Sequence, residues 1–167
     1  AIVDGGATNI GLESTVVDCT GEHPIILRPG SITSEQISQV TGLPCMVYEK
    51  QNASQETKSP SSKYVHYAPD VPLVLISVEK MGAEIEKARL EKKRIALLYQ
   101  TEDLAGLEAE KTFHLGDDAM EAAQQLYEIL RSFKKEEVDV VFCEYPVFSE
   151  DDAIMNRLVE ASSDIIE

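Results

Sequence analysis

The sequence predicts an α/β protein in two unequal parts: an incomplete α/β segment, then a small α/β domain with a parallel sheet of about four strands. Three observations predict it. Apolar runs alternate with helix-period stretches from residue 71 onward, residues 1–42 hold only short β-branched runs and one helix, and a polar, aperiodic stretch at 49–60 separates the two. The boundaries that follow are 1–44 for the first segment, 45–70 for a linker and 71–167 for the second domain.

Composition sets the outer bounds. At 167 residues and 43% hydrophobic content, the chain is long and apolar enough to bury a core. Fifteen Lys and Arg against thirty Asp and Glu give a net charge of -15, which repels phosphates over most of the surface and excludes tight RNA or DNA binding by this chain alone. The three cysteines, Cys19, Cys45 and Cys143, form no CxxC pair and have no His at metal-ligand spacing. They read as free thiols of a reducing cytoplasm, with Cys143 a small buried hydrophobe in the apolar run Val138 to Tyr145. No run approaches the roughly 20 apolar residues of a membrane span. Ala1 to Gly6 reads as a strand end entering a turn, so the natural gene product is expected to begin earlier.

In the first segment, Ser14 to Asp18 and Pro24 to Leu27 are short strands, and the turn signal Thr20-Gly21-Glu22 makes them a hairpin-like pair. Thr33-Ser34-Glu35-Gln36 fits a capping box that opens a short helix, with apolar positions Ile37 and Val40 three apart and Gly42 as its stop. Two or three strands and one helix cannot enclose a core. The segment is therefore expected to pack on something else, or to self-associate through its unpaired strands.

The second domain reads as strands at Val71–Ser77, Arg94–Tyr99, Thr112–Leu115 and Asp139–Tyr145, three of them nearly all apolar as strands covered on both faces must be. Helices are expected at about Val78–Lys93, Glu102–Glu108, Asp117–Glu136 and Asp151–Ser162. The third carries the clearest stripe, Ala119, Ala122, Ala123, Leu126, Ile129, Leu130 and Phe133. This alternation gives a Rossmann-like parallel sheet with helices on its faces and right-handed crossovers. Ligands of such sheets collect at the strands' carboxyl ends, here Ser77, Gln100 to Glu102, Gly116-Asp117 and Pro146 to Glu150. Gly82 and Gly106 stand alone, so no Rossmann or Walker phosphate loop is present, and no catalytic residue is assigned.

Candidate site residues cluster in the first segment. Glu13-Ser14-Thr15 brings a carboxylate and two hydroxyls to a strand start, and Arg28-Pro29-Gly30 puts a cation at a strand end before a rigid turn. Asp4-Gly5-Gly6 and Gly11 surround the polar loop that precedes them. Lys63, Tyr64, His66 and Tyr67 make the linker too aromatic for a plain spacer.

Together these strings resemble a known family. DGG followed by GLESTVVDCT and then IILRPGSITSEQI resembles the last third of a YrdC-like domain, and SPSSKYVHYAP resembles the linker that follows it in two-domain threonylcarbamoyl-AMP synthases. DDAIMNRLVEAS resembles the AIxNRL signature of that family's smaller C-terminal domain. The resemblance implies a C-terminal fragment of a nucleotidyltransferase that condenses L-threonine and bicarbonate with ATP, giving threonylcarbamoyl-AMP and pyrophosphate for tRNA threonylcarbamoyladenosine biosynthesis. It implies ATP as substrate, with magnesium, and downstream tRNA-modifying proteins as partners. By the same resemblance Ser14, Thr15 and Arg28 bind substrate or ATP, and Lys63, Tyr64, His66 and Tyr67 form a lid that keeps water from a labile carbamate. Asn156 and Arg157 are expected in structural or interdomain roles, with Arg157 pairing with Glu160 or Asp152.

Departures from the family pattern shape the expectation. Ser61 stands where the family linker carries glycine. The family's KxR and SxN motifs are absent, and EKKR at Glu91 to Arg94 ends a helix of the other domain, so this chain by itself is expected to be inactive and to hold no cofactor. The rival reading is a non-catalytic nucleotide- or partner-binding regulatory module. A flavodoxin-like electron carrier is disfavoured by the missing phosphate loop and the absence of Trp.

Overall fold

The computed structural model of the protein describes residues 3, 11–48, 68–145 and 153–167. In the first part, β1 (Val16–Asp18) and β2 (Ile25–Arg28) pair antiparallel, as the turn signal between them predicts, with an irregularity between Val16 and Val17. The Asp18 carboxylate closes the turn by accepting from the Thr20 N–H at 2.9 Å. Helix α1 (Ser34–Thr41) starts at the capping box: the Gln36 N–H donates to the Thr33 hydroxyl, and the Thr33 N–H donates to Gln36 Oε1 at 2.9 Å. It ends at Gly42, whose φ of 69° is the left-handed conformation glycine adopts without a Cβ penalty.

Two findings differ from the sequence reading of this part. The Ile37 and Val40 pair marks no buried face: α1 buries none of its residues, and Val40 is 89% exposed. Two apolar positions in a two-turn helix make too narrow a stripe, so caps and loop contacts hold α1 instead. Met46–Val47, at the start of the stretch read as linker, forms β3 parallel to β2, with Ile25 opposite Met46.

The second part comprises β4 (Leu73–Ser77), α2 (Val78–Leu90), β5 (Ile95–Tyr99), β6 (Lys111–His114), α3 (Ala119–Ser132), β7 (Val140–Tyr145), α4 (Ala153–Ala161) and β8 (Asp164–Ile166). Its sheet runs β6-β5-β7-β4-β8, with every neighbouring pair parallel. Five strands replace the expected four. β8 is a three-residue edge strand without a buried residue, too short to carry a period. Its register comes from β4, through Leu75 opposite Ile165 and a 2.7 Å bond from the Ser163 N–H to the Leu73 carbonyl. The helix expected at Glu102–Glu108 is a single 3-10 turn, Glu102–Leu104, since Leu104 is its one buried anchor and Gly106 follows at once.

Alternation along the strands divides the core in two. Leu73, Leu75, Ala96, Leu98, Val141 and Cys143 pack with α3 and α4, while Ile76, Ile95, Leu97, Val140 and Phe142 pack with α2. The apolar stripe read for α3 is its buried face, and Asp118 caps the helix by accepting from the Met120 and Glu121 N–H groups at 2.9 Å. At the other end of the sheet Arg94 forks onto Asp139, with Nη2 to Oδ1 at 2.7 Å and Nε to Oδ2 at 3.0 Å. That bond above all holds the Asp139 carboxyl down to about 2.

Candidate functional site

The two ends of the β1–β2 hairpin bring the candidate residues together. Val16 and Arg28 are register partners, so Ser14 and Thr15 run alongside Arg28 and the turn after it. The Arg28 guanidinium donates to the Ser14 carbonyl from Nε at 3.1 Å and from Nη2 at 2.8 Å, and Nη2 lies 3.3 Å from the Ser14 hydroxyl. Thr15 faces the following loop. Its hydroxyl donates to the Ile32 carbonyl at 2.9 Å and accepts from the Ile32 N–H at 3.0 Å, pinning the turn to the strand. Gly30 allows this approach, because a Cβ there would meet the Thr15 nitrogen at 2.3 Å and the Glu13 carbonyl at 2.7 Å.

Glu13, one residue before Ser14, points the other way, into the second domain. Its Oε2 accepts from the Tyr127 hydroxyl on α3 at 2.6 Å and from Arg157 Nε on α4 at 2.9 Å. Burial pushes the Glu13 carboxyl up, but the bonds from Tyr127 and Arg157 outweigh it and hold the group below the ordinary carboxylate value. Burial and the same bond to Glu13 push the Tyr127 hydroxyl well up, so it stays a proton donor. Arg157 continues the contact through Nη2, which donates to the Pro29 carbonyl at 3.1 Å, and Nη1, which donates to Asn156 Oδ1 at 2.6 Å. Its expected pairing with Glu160 is present but long, at 3.9 Å, and Asp152 lies outside the described residues. Gly11 completes the seam, since a Cβ there would strike the Ala123 carbonyl of α3 at 2.2 Å.

A mainly apolar cavity of about 570 Å³ opens beside this seam, between Pro29, Ile32 and Val47 on one side and Met120, Ala123 and Ile154 on the other. Ser14, Thr15 and Arg28 are not among its lining residues. At the carboxyl ends of the parallel strands, where ligands of such sheets collect, β7 is bridged to the end of β5. Glu144, 3% exposed on β7, accepts from the Gln100 and Thr101 N–H groups at 2.7 and 2.8 Å and also from the Thr101 hydroxyl. The proposed lid residues Lys63, Tyr64, His66 and Tyr67, and the strand end at 146–150, lie outside the described residues. Among the described residues no group of three or more His, Cys, Asp or Glu is placed to hold a metal, and no helix is long and apolar enough to cross a membrane.

Sequence reasoning placed Ser14, Thr15 and Arg28 at one site and Arg157 at a contact, but it missed Tyr127 and Glu144. Glu144 left a signal, a lone carboxylate in an otherwise apolar strand. Tyr127 left a fainter one, a hydroxyl at the margin of the α3 stripe.

Comparison with known proteins identifies the family. The family described as threonylcarbamoyl-AMP synthase, C-terminal domain, matches residues 32–163. The chain is 41% identical over 169 residues to a threonylcarbamoyl-AMP synthase of Bacillus subtilis (strain 168), covering 96% of this chain and 48% of the relative. It is 35% identical over 171 residues to one of Pyrococcus abyssi (strain GE5 / Orsay), again covering 96% of this chain and 48% of the relative. It thus spans about half the length of the curated relatives it matches. The crystal structure of P. abyssi Sua5 complexed with L-threonine superposes with a TM-score of 0.81 at 33% identity, over 98% of this chain and 49% of that one. A fold shared across both the hairpin segment and the five-stranded domain, together with this identity, places the chain in the threonylcarbamoyl-AMP synthase family.

Proposed function

We propose that the chain supplies part of an L-threonylcarbamoyladenylate synthase, acting in tRNA threonylcarbamoyladenosine biosynthesis. The observation that carries the reading is the likeness, over 98% of the chain, to a relative solved with L-threonine. Residues 1–44 then belong to a YrdC-like catalytic domain, joined by β3 through its pairing to β2, and 71–167 form the C-terminal domain after a linker.

The reaction joins L-threonine, bicarbonate and ATP into threonylcarbamoyl-AMP, pyrophosphate and water, a nucleotidyl transfer. The threonine amine takes up the carbonate carbon, and a carbamate oxygen displaces pyrophosphate from the α-phosphorus. Cations offset the charge that builds on the phosphates, a role suited to Arg28. Ser14 presents a short hydroxyl beside that cation, and Thr15 holds the loop that frames them. The lid role that the family resemblance implies for Lys63, Tyr64, His66 and Tyr67 falls on residues outside those described, and it would serve to keep water from the carbamate. Magnesium would enter with the ATP phosphates and offset part of their charge.

The 167 residues alone are inactive under this reading, and the exposed Ile32, Val40 and Met46 drive self-association visible by light scattering. A pyrophosphate-release assay tests the function. A protein of the relatives' length carrying this sequence should release pyrophosphate only with threonine and bicarbonate present, and the 167-residue chain should release none. No threonine-dependent release from the longer protein would refute the proposal, as would micromolar ATP or threonine binding by the short chain refute the placement of the pocket.

A further inference from the structure

The C-terminal domain contributes no group to the proposed chemistry, yet one of its side chains grips both sides of the candidate site. Arg157 is 6% exposed on α4, a helix whose Ile154, Met155, Leu158 and Ala161 are buried in the core of the five-stranded domain. Its position is therefore set by that core rather than by the hairpin. From there Nε reaches the Glu13 carboxylate and Nη2 reaches the Pro29 carbonyl. Glu13 precedes Ser14, and Pro29 follows Arg28. One planar cation thus holds the segments that flank the two hairpin strands, at points one residue beyond each proposed substrate contact, and those contacts bond to each other between the held points. Tyr127 on α3 adds a second hold on the same Glu13 oxygen.

We infer that Arg157 is a positioning residue through which the C-terminal domain keeps Ser14 and Arg28 in register for substrate. The inference rests on the proposed synthase reading for the roles of Ser14 and Arg28. Arginine suits this task because its fork serves a carboxylate and a carbonyl at the same time, where a lysine point charge serves one well.

Two variants test it from opposite sides: Arg157→Gln on α4, and Glu13→Gln, which leaves the core of the C-terminal domain untouched. In the 167-residue chain, amide hydrogen exchange over 15–18 and 25–28 should quicken by roughly tenfold or more in both variants, while β4, β5 and β7 keep their protection. In a protein of the relatives' length, KM for threonine should rise roughly tenfold with a smaller change in kcat, and Arg157→Lys should recover part of the loss. Unchanged hairpin exchange and unchanged KM in both variants would overturn the inference. A longer wild-type protein that releases no pyrophosphate would instead overturn the synthase reading, and the exchange result would still decide whether Arg157 holds the hairpin.

Discussion

Glu144 on β7 accepts a hydrogen bond from the Thr101 backbone N–H just beyond β5 at 2.8 Å, and a second from the Thr101 hydroxyl. With the Gln100 N–H at 2.7 Å, one buried carboxylate satisfies three donors at the end of the sheet where open α/β proteins take up ligands. Glu144→Ala strands these donors and should destabilise the second domain by about 3 kcal/mol. Glu144→Gln, which keeps one acceptor oxygen, should lose less. Urea unfolding followed by far-UV circular dichroism measures both, and a loss below about 0.5 kcal/mol for the alanine variant would count against this bridge.

The Glu13 carboxyl titrates below its ordinary value when docked, so docking favours its ionised form. Its contribution is full above the ordinary glutamate pKa of roughly 4.3 and is lost as pH falls through the lower docked value. Tyr127→Phe removes a bond that lowers the pKa but leaves the burial that raises it. A carbon-13 NMR titration of the Glu13 carboxyl should therefore show a higher pKa in the variant. An unchanged titration would mean that the Tyr127 hydroxyl does not bond Glu13 in solution.

The cysteines should differ sharply in reactivity. Cys143 is fully buried, and burial together with the neighbouring Glu144 charge pushes its thiol well up, away from thiolate. Cys19 is exposed. Native protein treated with a thiol reagent should be labelled at Cys19 first, and at Cys143 only when denaturant unfolds the sheet. Mass spectrometry of timed aliquots would report the order, and early labelling of Cys143 would contradict the packing.

Gly30→Ala should disturb the hairpin where Gly21→Ala does not. The first places a Cβ against the backbone of Thr15, Glu13 and Ser14, none of which can move aside cheaply, whereas the second meets only the His23 carbonyl at 3.8 Å. The expected cost at Gly30 is about 2 kcal/mol or more, against a change near zero at Gly21. Thermal unfolding of the two variants compares them, and equal midpoints would refute the close packing.

Much of the fold was legible because its signals are local. The Thr33 and Gln36 capping box, the Gly42 stop, the apolar runs of β4, β5 and β7 and the α3 stripe each lie within a few residues of one another. The site was legible only as pieces. Ser14, Thr15 and Arg28 could be singled out by residue type, but nothing local shows that the Thr15 hydroxyl is spent on Ile32 or that Arg28 turns to the Ser14 carbonyl.

By itself the sequence determined the capping box and Gly42 stop of α1, the α3 stripe and the long strands, since propensity, period and turn chemistry act over short spans. Only the tertiary structure decided that Asp164–Ile166 becomes a fifth strand, that Glu144 bridges β7 to the end of β5, and that Arg157 meets Glu13 across 144 residues of chain. A buried charge takes whichever partner the packed backbone brings within reach, and that partner is set by how α3, α4 and the hairpin settle against one another rather than by any pattern around the charge itself.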